Sequence, residues 1–449
     1  MIFTLEETDM DFLKDDVRRL YQQFLVPSVG SALVISVYSS VDTIAVGQAE
    51  GELGTAAMAV VAPLYSFFIF LAILCGVGGS VLMSNAKGKG EEEKGNAYYT
   101  ASLLMMGILT AVFWGILLIF HRQIFTFFGA DEIIMPKALE YARWVIWFTP
   151  IFIAPTFLSS FIRNDGAPGL TMAAVIFGGG VNVFGDWFLV FPMGMGMKGA
   201  AIATVIGTSV QAIVMCSHFF RKKCGLKLVM PHQLHQGIRK IIDIGFGASV
   251  LDLGTVTIAI FMNNQILRYG GTMELGIYGA VSSITSLFQA LFSGVGQAIQ
   301  PLVSANHGAG NHTRVRAFWR YGLITSLTMG VAFTLLGELF PRQITQLFIN
   351  ATPEALDAAP GIFRRFFLLF LFLGVTVLAT YYLQSILHGK MSMIIALLRS
   401  VFVSGLLILL LPMVMDINGV WLALPASELL TTGIALYYIY KKTYNTRSV

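Results

Sequence analysis

Runs of about twenty apolar residues recur along the whole chain, broken only by short polar or Gly/Pro stretches. Wound at 1.5 Å per residue, such a run spans about 30 Å, the thickness of a bilayer's hydrocarbon core. A backbone in that setting must satisfy its own hydrogen bonds, and helices do so. Composition agrees: 56% of the residues are hydrophobic and 12% charged, where an average soluble chain carries about 25% charged. The chain therefore reads as an all-α integral membrane protein solvated by lipid, with no nucleic-acid partner. Three cysteines, Cys75, Cys216 and Cys224, offer no disulfide framework. The acidic opening MIFTLEETDMDFLKDDVRRL has no apolar stretch of signal-peptide length, so no cleaved leader is expected.

The runs predict twelve helices, near 20–46, 55–85, 97–119, 138–162, 168–191, 198–220, 238–264, 276–304, 317–338, 360–386, 391–413 and 419–441. Lys and Arg are shared unequally between the two sides. The side with both termini and segments 86–96, 163–167, 221–240, 305–320 and 387–399 holds 21 of the 29, and the other side 8. The positive-inside rule then places both termini in the cytoplasm, in a multi-pass protein of the inner membrane.

The chain also repeats itself. GVGGSVLMSNAKGKG (76–90) is answered by GVGQAIQPLVSANHGAG (294–310), and PMGMGMKG (192–199) by PMVMDING (412–419). The closing glycines Gly88/Gly308 and Gly90/Gly310 share an offset of 220 with Pro192/Pro412 and Gly199/Gly419. Six spans per unit is an even number, so both units cross the bilayer in the same sense. Two parallel six-helix lobes result, related about the membrane normal, with a binding cleft between or within them. The expected division is 1–220, a cytoplasmic linker at 221–237, and 238–449.

Against this background VNVFGDWFLVF (181–191) stands out, because it buries Asp186 in an apolar run. A mid-membrane carboxylate costs about 2.5–3.5 kcal/mol on insertion scales, so it marks a functional position by default. Adding 220 to Asp186, Asn182 and Thr204 gives Leu406, Phe402 and Leu424, so packing at these places does not demand polar groups. Asp186 and Thr204 flank the turn near Met195 by nine residues each, which puts them at matching depth, about 13 Å from it. Asn182 lies one helical turn before Asp186. Asp42, in YSSVDTIAVG, lies eight residues before the centre of its own loop near Glu50. Two acids, an amide and a hydroxyl thus converge in one lobe, a set suited to taking up a proton or, with both acids ionised, Na⁺.

Other features carry less. Pro27 lies upstream of Asp42 in the first span and either bends that helix during function or kinks it permanently. Tyr38, one turn before Asp42, either meets Asp42 or cargo, or simply packs. Asp252 and Glu428 are candidate buried acids of the second lobe without an evident partner, and Asp252 offers a second ion or cationic-cargo site. GMGMKG (194–199) matches a dinucleotide fingerprint but lacks its strand and its acid. His232 and His235 form a lone H-x-x-H in a basic loop, read as solvated, not as a metal site. GGG (178–180) permits close helix approach.

Taken as a set, VDTIAVGQ (41–48), GVGGSVLMSNAKGKG, FIRNDGAPG (161–169), VNVFGDWFLVFPMGMGMKGAAIATVIG (181–207), GVGQAIQPLVSANHGAG and GVWLALP (419–425) span nearly the whole chain. With them it resembles the MATE (multidrug and toxic compound extrusion) transporters, in their bacterial DinF/MepA-like branch. The resemblance implies a V-shaped twelve-helix transporter exporting cationic or amphipathic small molecules in exchange for H⁺ or Na⁺. The family's first-lobe ion site falls on Asp42, Asn182, Asp186 and Thr204, and its bending proline on Pro27. Branches with a second-lobe sodium site use acids in spans seven and ten. Span ten here has none, which argues against that site.

The reading is a monomeric, cation-coupled antiporter working by alternating access, with no cofactor beyond its coupling ion and no enzymatic activity. Two rivals remain: a flippase for lipid-linked precursors, which calls for a strongly cationic cavity, and a membrane-embedded enzyme using the Asp pair, for which no nucleophile–base motif appears.

Overall fold

In the computed structural model the apolar runs are helical. The structure describes residues 10–230, 234–348 and 352–444, the side chains at 52, 251–253, 255, 256, 347, 348, 443 and 444 aside. Among these residues nine helices are long and apolar enough to cross a membrane, or eleven if two bent pairs count as one span each. The twelfth is the 36-residue helix Leu234–Tyr269.

In chain order the spans are α1 (Val17–Gly51), α2 (Leu53–Gly88), α3 (Glu92–Phe127), α4 (Ile134–Trp147 with Thr149–Asn164, bent by 58°), α5 (Pro168–Val190) and α6 (Gly196–Phe220). Then come α7 (Leu234–Tyr269), α8 (Gly271–Gly308), α9 (His312–Leu339), α10 (Pro353–Phe366 with Leu369–Ser385, bent by 41°), α11 (Gly389–Leu410) and α12 (Pro412–Lys442). Both bends have a local cause or remedy. Pro150 opens the second half of α4, where its missing N–H is not needed. At the α10 bend the Thr334 hydroxyl donates to the Phe367 carbonyl at 3.0 Å, so the backbone is not left bare in hydrocarbon.

The duplication is visible in the backbone. Gly51 and Gly271 have φ of 62° and 83°, Gly90 and Gly310 of 81° and 74°, each pair 220 residues apart. Gly196 and Asp416 share φ 50° at the same offset. The turn therefore outlasts the glycine, although a side chain there costs about 1–3 kcal/mol.

The lobes meet through the repeated motif itself, on the face carrying the termini. A methyl added at Gly88 would overlap the Ala305 carbonyl, and one at Gly308 the Asn85 carbonyl. These contacts exchange under the 220-residue shift, so the pseudo-two-fold runs between α2 and α8. Small residues are what let two helices come this close in a membrane. On the same face each lobe lends its first helix to the other. Leu20, Tyr21 and Phe24 of α1 are buried in a cluster of α8, α9, α10 and α12 side chains. Ile241, Ile244 and Ala248 of α7 are buried in the first-lobe cluster. Past Phe24, α1 crosses to its own lobe, and Gly294 of α8 packs on its backbone at Ser28 and Val29. Pro27 lies at that crossing, and the backbone stays helical through it.

Alanine at Gly308 is therefore expected to wedge the lobes apart, at a cost of about 1–3 kcal/mol. The expected result is increased labelling of cysteines introduced beside Asn85 from the face carrying the termini, relative to the same cysteines with Gly308 intact.

Two arginines that the sequence pattern counts with the basic side's loop charges are interior instead. Arg163 is 9% exposed in the last turn of α4, and Arg399 is 8% exposed in a π-turn of α11 (Leu398–Phe402).

Candidate functional site

The polar groups singled out in the first lobe fall on α1, α5 and α6. Along α1 the hydroxyls of Ser31, Ser36, Ser40 and Thr43 each donate to the carbonyl four residues back, at 2.7–3.2 Å. That satisfies them within the helix and leaves Asp42 as the α1 group free to reach across. Crossing glycines bring α5 and α6 together: Gly178 faces the Gly207 carbonyl, and Gly207 lies against Asn182. The GGG stretch does serve close approach, with Gly179 against the Tyr38 ring.

A connected network results. Thr204 Oγ1 lies 3.4 Å from Asp42 Oδ1 and donates to the Ala200 carbonyl at 2.9 Å. Asn182 Nδ2 donates to Thr204 Oγ1 at 3.4 Å. Tyr141 of α4 donates to Asp42 Oδ2 at 3.2 Å, and its hydroxyl pairs with that of Tyr65 of α2 at 3.0 Å. Asp186 lies one turn beyond Asn182 on the buried face of α5. It is 0% exposed, and neither of its oxygens has a hydrogen-bond partner among the described residues. The Asn182 carbonyl oxygen is likewise buried and unpartnered. Three acceptor atoms are thus buried with no donor among the described residues. Burying a bare carboxylate is costly, so the arrangement calls for a proton or a small cation.

The tyrosines are not legible in the sequence. An aromatic in an apolar run looks like packing, and only the fold shows that Tyr65 and Tyr141 converge on Asp42. Tyr38 does not reach Asp42 by any hydrogen bond; it lines an apolar groove of about 640 Å³ with Phe184 and Trp187. At the end of the pocket away from the termini, Lys137 of α4 pairs with Glu50 of α1 at 2.8 Å.

The second lobe is built differently. The offset partners Phe402 and Leu406 point outward, 61% and 56% exposed. The π-turn adds a residue to one turn of α11 and rotates the rest of the helix. Ser404 and Ile408 occupy the buried face there. Glu428, expected without a partner, accepts a hydrogen bond from Arg399 Nε at 2.6 Å. Asp252 lies in α7, its side chain outside the described residues, and His232 lies outside them entirely.

On the face carrying the termini, Asp165 gathers a separate cluster that pins the inter-lobe linker. Lys87 Nζ lies 3.1 Å from its Oδ1 and donates to the Gly225 carbonyl at 2.8 Å. His218 Nε2 lies 2.9 Å from its Oδ2, which also accepts the Gly225 N–H at 2.8 Å. Asn96 and Thr100 of α3 bind the linker backbone at Lys227 and Val229. Asp165, His218 and Cys224 have metal-ligand atoms within 4.8 Å of one another. The Lys87 ammonium already neutralises the carboxylate, so the group reads as a latch. Burial opposes the charge on Asp165, but His218, Lys87 and the Gly225 N–H outweigh it and hold the carboxyl below the usual carboxylate range. A carboxylate of this kind stabilises above its ordinary unfolded value and loses the effect only as pH falls through the lower folded one. Resistance of the linker to proteolysis is expected to be flat from about pH 7 to 5 and to fall below about pH 4. Asp165→Ala should remove it at every pH, at a cost of about 3–5 kcal/mol.

Comparison with known proteins gives concordant matches. A family model described as MatE matches residues 27–188 and 248–409, one segment in each lobe. Multidrug export protein MepA of Staphylococcus haemolyticus (strain JCSC1435) is 21% identical over 434 residues, covering 96% of this chain and 94% of that protein. The probable multidrug resistance protein YoeA of Bacillus subtilis (strain 168) is 25% identical over 350 residues, 75% of this chain and 74% of its own. A solved structure described as the outward-facing conformation of a multidrug resistance MATE family transporter of the MOP superfamily superposes with a TM-score of 0.90 over 98% of each chain, at 19% identity.

Proposed function

The chain belongs to the MatE family, with one family segment in each lobe of a multi-pass membrane protein, and on that premise we propose that it exports amphipathic small molecules in exchange for H⁺ or Na⁺. The two named relatives are a multidrug export protein and a probable multidrug resistance protein, which supports the export of drug-like cargo. The observation that carries the coupling is Asp186, wholly buried with both oxygens unpartnered beside the Asp42–Thr204–Asn182 network.

In this reading the pocket is least stable when Asp186 is charged and alone. A proton or Na⁺ neutralises Asp186 and joins Asp42, Thr204 and Asn182 into one satisfied group. Because Asp42 rides on α1, and the first turns of α1 are embedded in the other lobe, a change at Asp42 is passed through Pro27 to the lobe contact. Two arrangements of that contact, open to one side or the other, give alternating access. Inward passage of one charge supplies about 2.3 kcal/mol per 100 mV. With the basic face in the cytoplasm, that drives cargo outward.

Uptake of a fluorescent cargo by everted vesicles tests this, with a pH gradient and a Na⁺ gradient imposed separately. The expected result is uptake under one gradient, reduced to the gradient-free background in Asp42→Asn. Uptake in that variant equal to the wild type under both gradients would refute the assignment.

A further inference from the structure

Between the lobes lies a cavity of about 420 Å³, lined by α1, α2, α4, α5, α6, α8 and α10. Its chemistry differs from that of the acid pocket. Amides of Gln211, Gln289 and Gln297, several serine hydroxyls and Tyr381 line it, with Ile35 and Ile73 supplying apolar wall. Among the described lining residues there is no carboxylate, and Arg163 carries the only formal charge.

Arg163 is nine-tenths buried, and its hydrogen bond, from Nη1 to Gln297 Oε1 at 2.5 Å, goes to a neutral amide of the opposite lobe. No acid pairs with it among the described residues. This sets it apart from the other buried arginine, Arg399, which has Glu428. A guanidinium offers five donors in a planar fork that fits a carboxylate through two parallel bonds. An unpaired cation in a membrane interior that faces a cavity marks a ligand position by default.

We propose that cargo seated between the lobes presents an anionic group, a carboxylate on an amphipathic body, to Arg163. The preferred cargo is then an organic acid or zwitterion, not a simple cation. The carboxylate takes the place of Gln297 on the guanidinium and so removes a bond that otherwise ties the two lobes together. Cargo occupancy and lobe separation are linked by that exchange. The inference rests on the exporter reading, whose coupling acids stand apart in the first lobe.

Binding to purified protein in lipid nanodiscs, without any ion gradient, keeps the two readings separable. The probes are rhodamine 110, which has a free carboxylate, and rhodamine 123, its methyl ester, followed by fluorescence anisotropy. The wild type is expected to bind the acid at least about tenfold more tightly than the ester, the scale of one charge-assisted pair. Arg163→Gln should erase that ratio. Gln297→Ala, which leaves the guanidinium in place and frees it, should strengthen binding of the acid and not of the ester. This variant decides the matter if Arg163→Gln does not fold. Asp186→Asn should keep the ratio whatever it does to transport. Equal or tighter binding of the ester by the wild type, or an undiminished ratio in folded Arg163→Gln, would overturn the proposal. Neither outcome would touch the coupling assignment.

Discussion

Asparagine at position 186 is expected to abolish gradient-driven export and, at the same time, to make the protein more stable. The transport loss comes from what the gradient supplies. One charge moving through 100 mV contributes about 2.3 kcal/mol, or about fiftyfold in cargo concentration. An amide can neither be protonated at this position nor pair electrostatically with Na⁺. The gain in stability comes from burial. The carboxylate is 0% exposed with both oxygens unpartnered, and replacing it by a neutral group of the same shape should recover about 1–3 kcal/mol. Thermal unfolding in sodium-free buffer at neutral pH, beside uptake in proteoliposomes, checks both halves. A variant that loses transport and also unfolds earlier would mean that Asp186 is a structural group, with donors that tie it in place. The opposed signs are those of a functional, strained position.

The second large effect is expected far from the acid pocket. Arg399 and Glu428 form a buried ion pair, 9% and 7% exposed at their side chains, between the π-turn of α11 and α12. Its surroundings are polar. Ser404 donates to the Arg399 carbonyl and pairs with Ser427 at 2.8 Å, while Glu428 Oε2 has no partner among the described residues. Removing either charge alone strands the other, and Arg399→Met or Glu428→Leu should each cost about 3–5 kcal/mol. The double variant, with both charges gone, should lie close to the wild type in thermal midpoint. If the double variant were instead as unstable as either single one, the pair would be worth far more than its desolvation costs, against the usual balance for buried ions. Coupling should survive in the double variant, because Asp42 and Asp186, proposed to carry it, lie in the other lobe.

Legibility in the sequence differs from element to element. The twelve spans and the doubling come from one-dimensional signals, run length and a fixed offset, and those signals survive folding because turn backbone is local. Even Asp416 keeps the turn that Gly196 makes. The meeting of Asp42, Asn182 and Thr204 is legible for the same reason, since depth along a helix hairpin is countable. What a count cannot give is rotation and partner. The π-turn in α11 turns Leu406 outward, so the same offset that pairs the loops mispairs the faces. Arg163 and Arg399 read as loop charges, because a cation near a span's end resembles an interfacial one until its neighbours are known. Tyr65 and Tyr141 reach Asp42 from helices remote in sequence. The insertion of Leu20, Tyr21 and Phe24 into the second lobe blurs the division at 221–237, since each lobe's core is completed by the other's first helix.

Exchange of cargo for a cation requires a counterflow, and that counterflow can be measured directly. Proteoliposomes given a cargo gradient alone, with no ion gradient, would be followed for internal pH and for tracer Na⁺. One of the two ions is expected to move against the cargo, and the movement is expected to disappear in Asp186→Asn. Cargo running down its gradient with neither ion moving, or with the movement intact in that variant, would contradict the exchange.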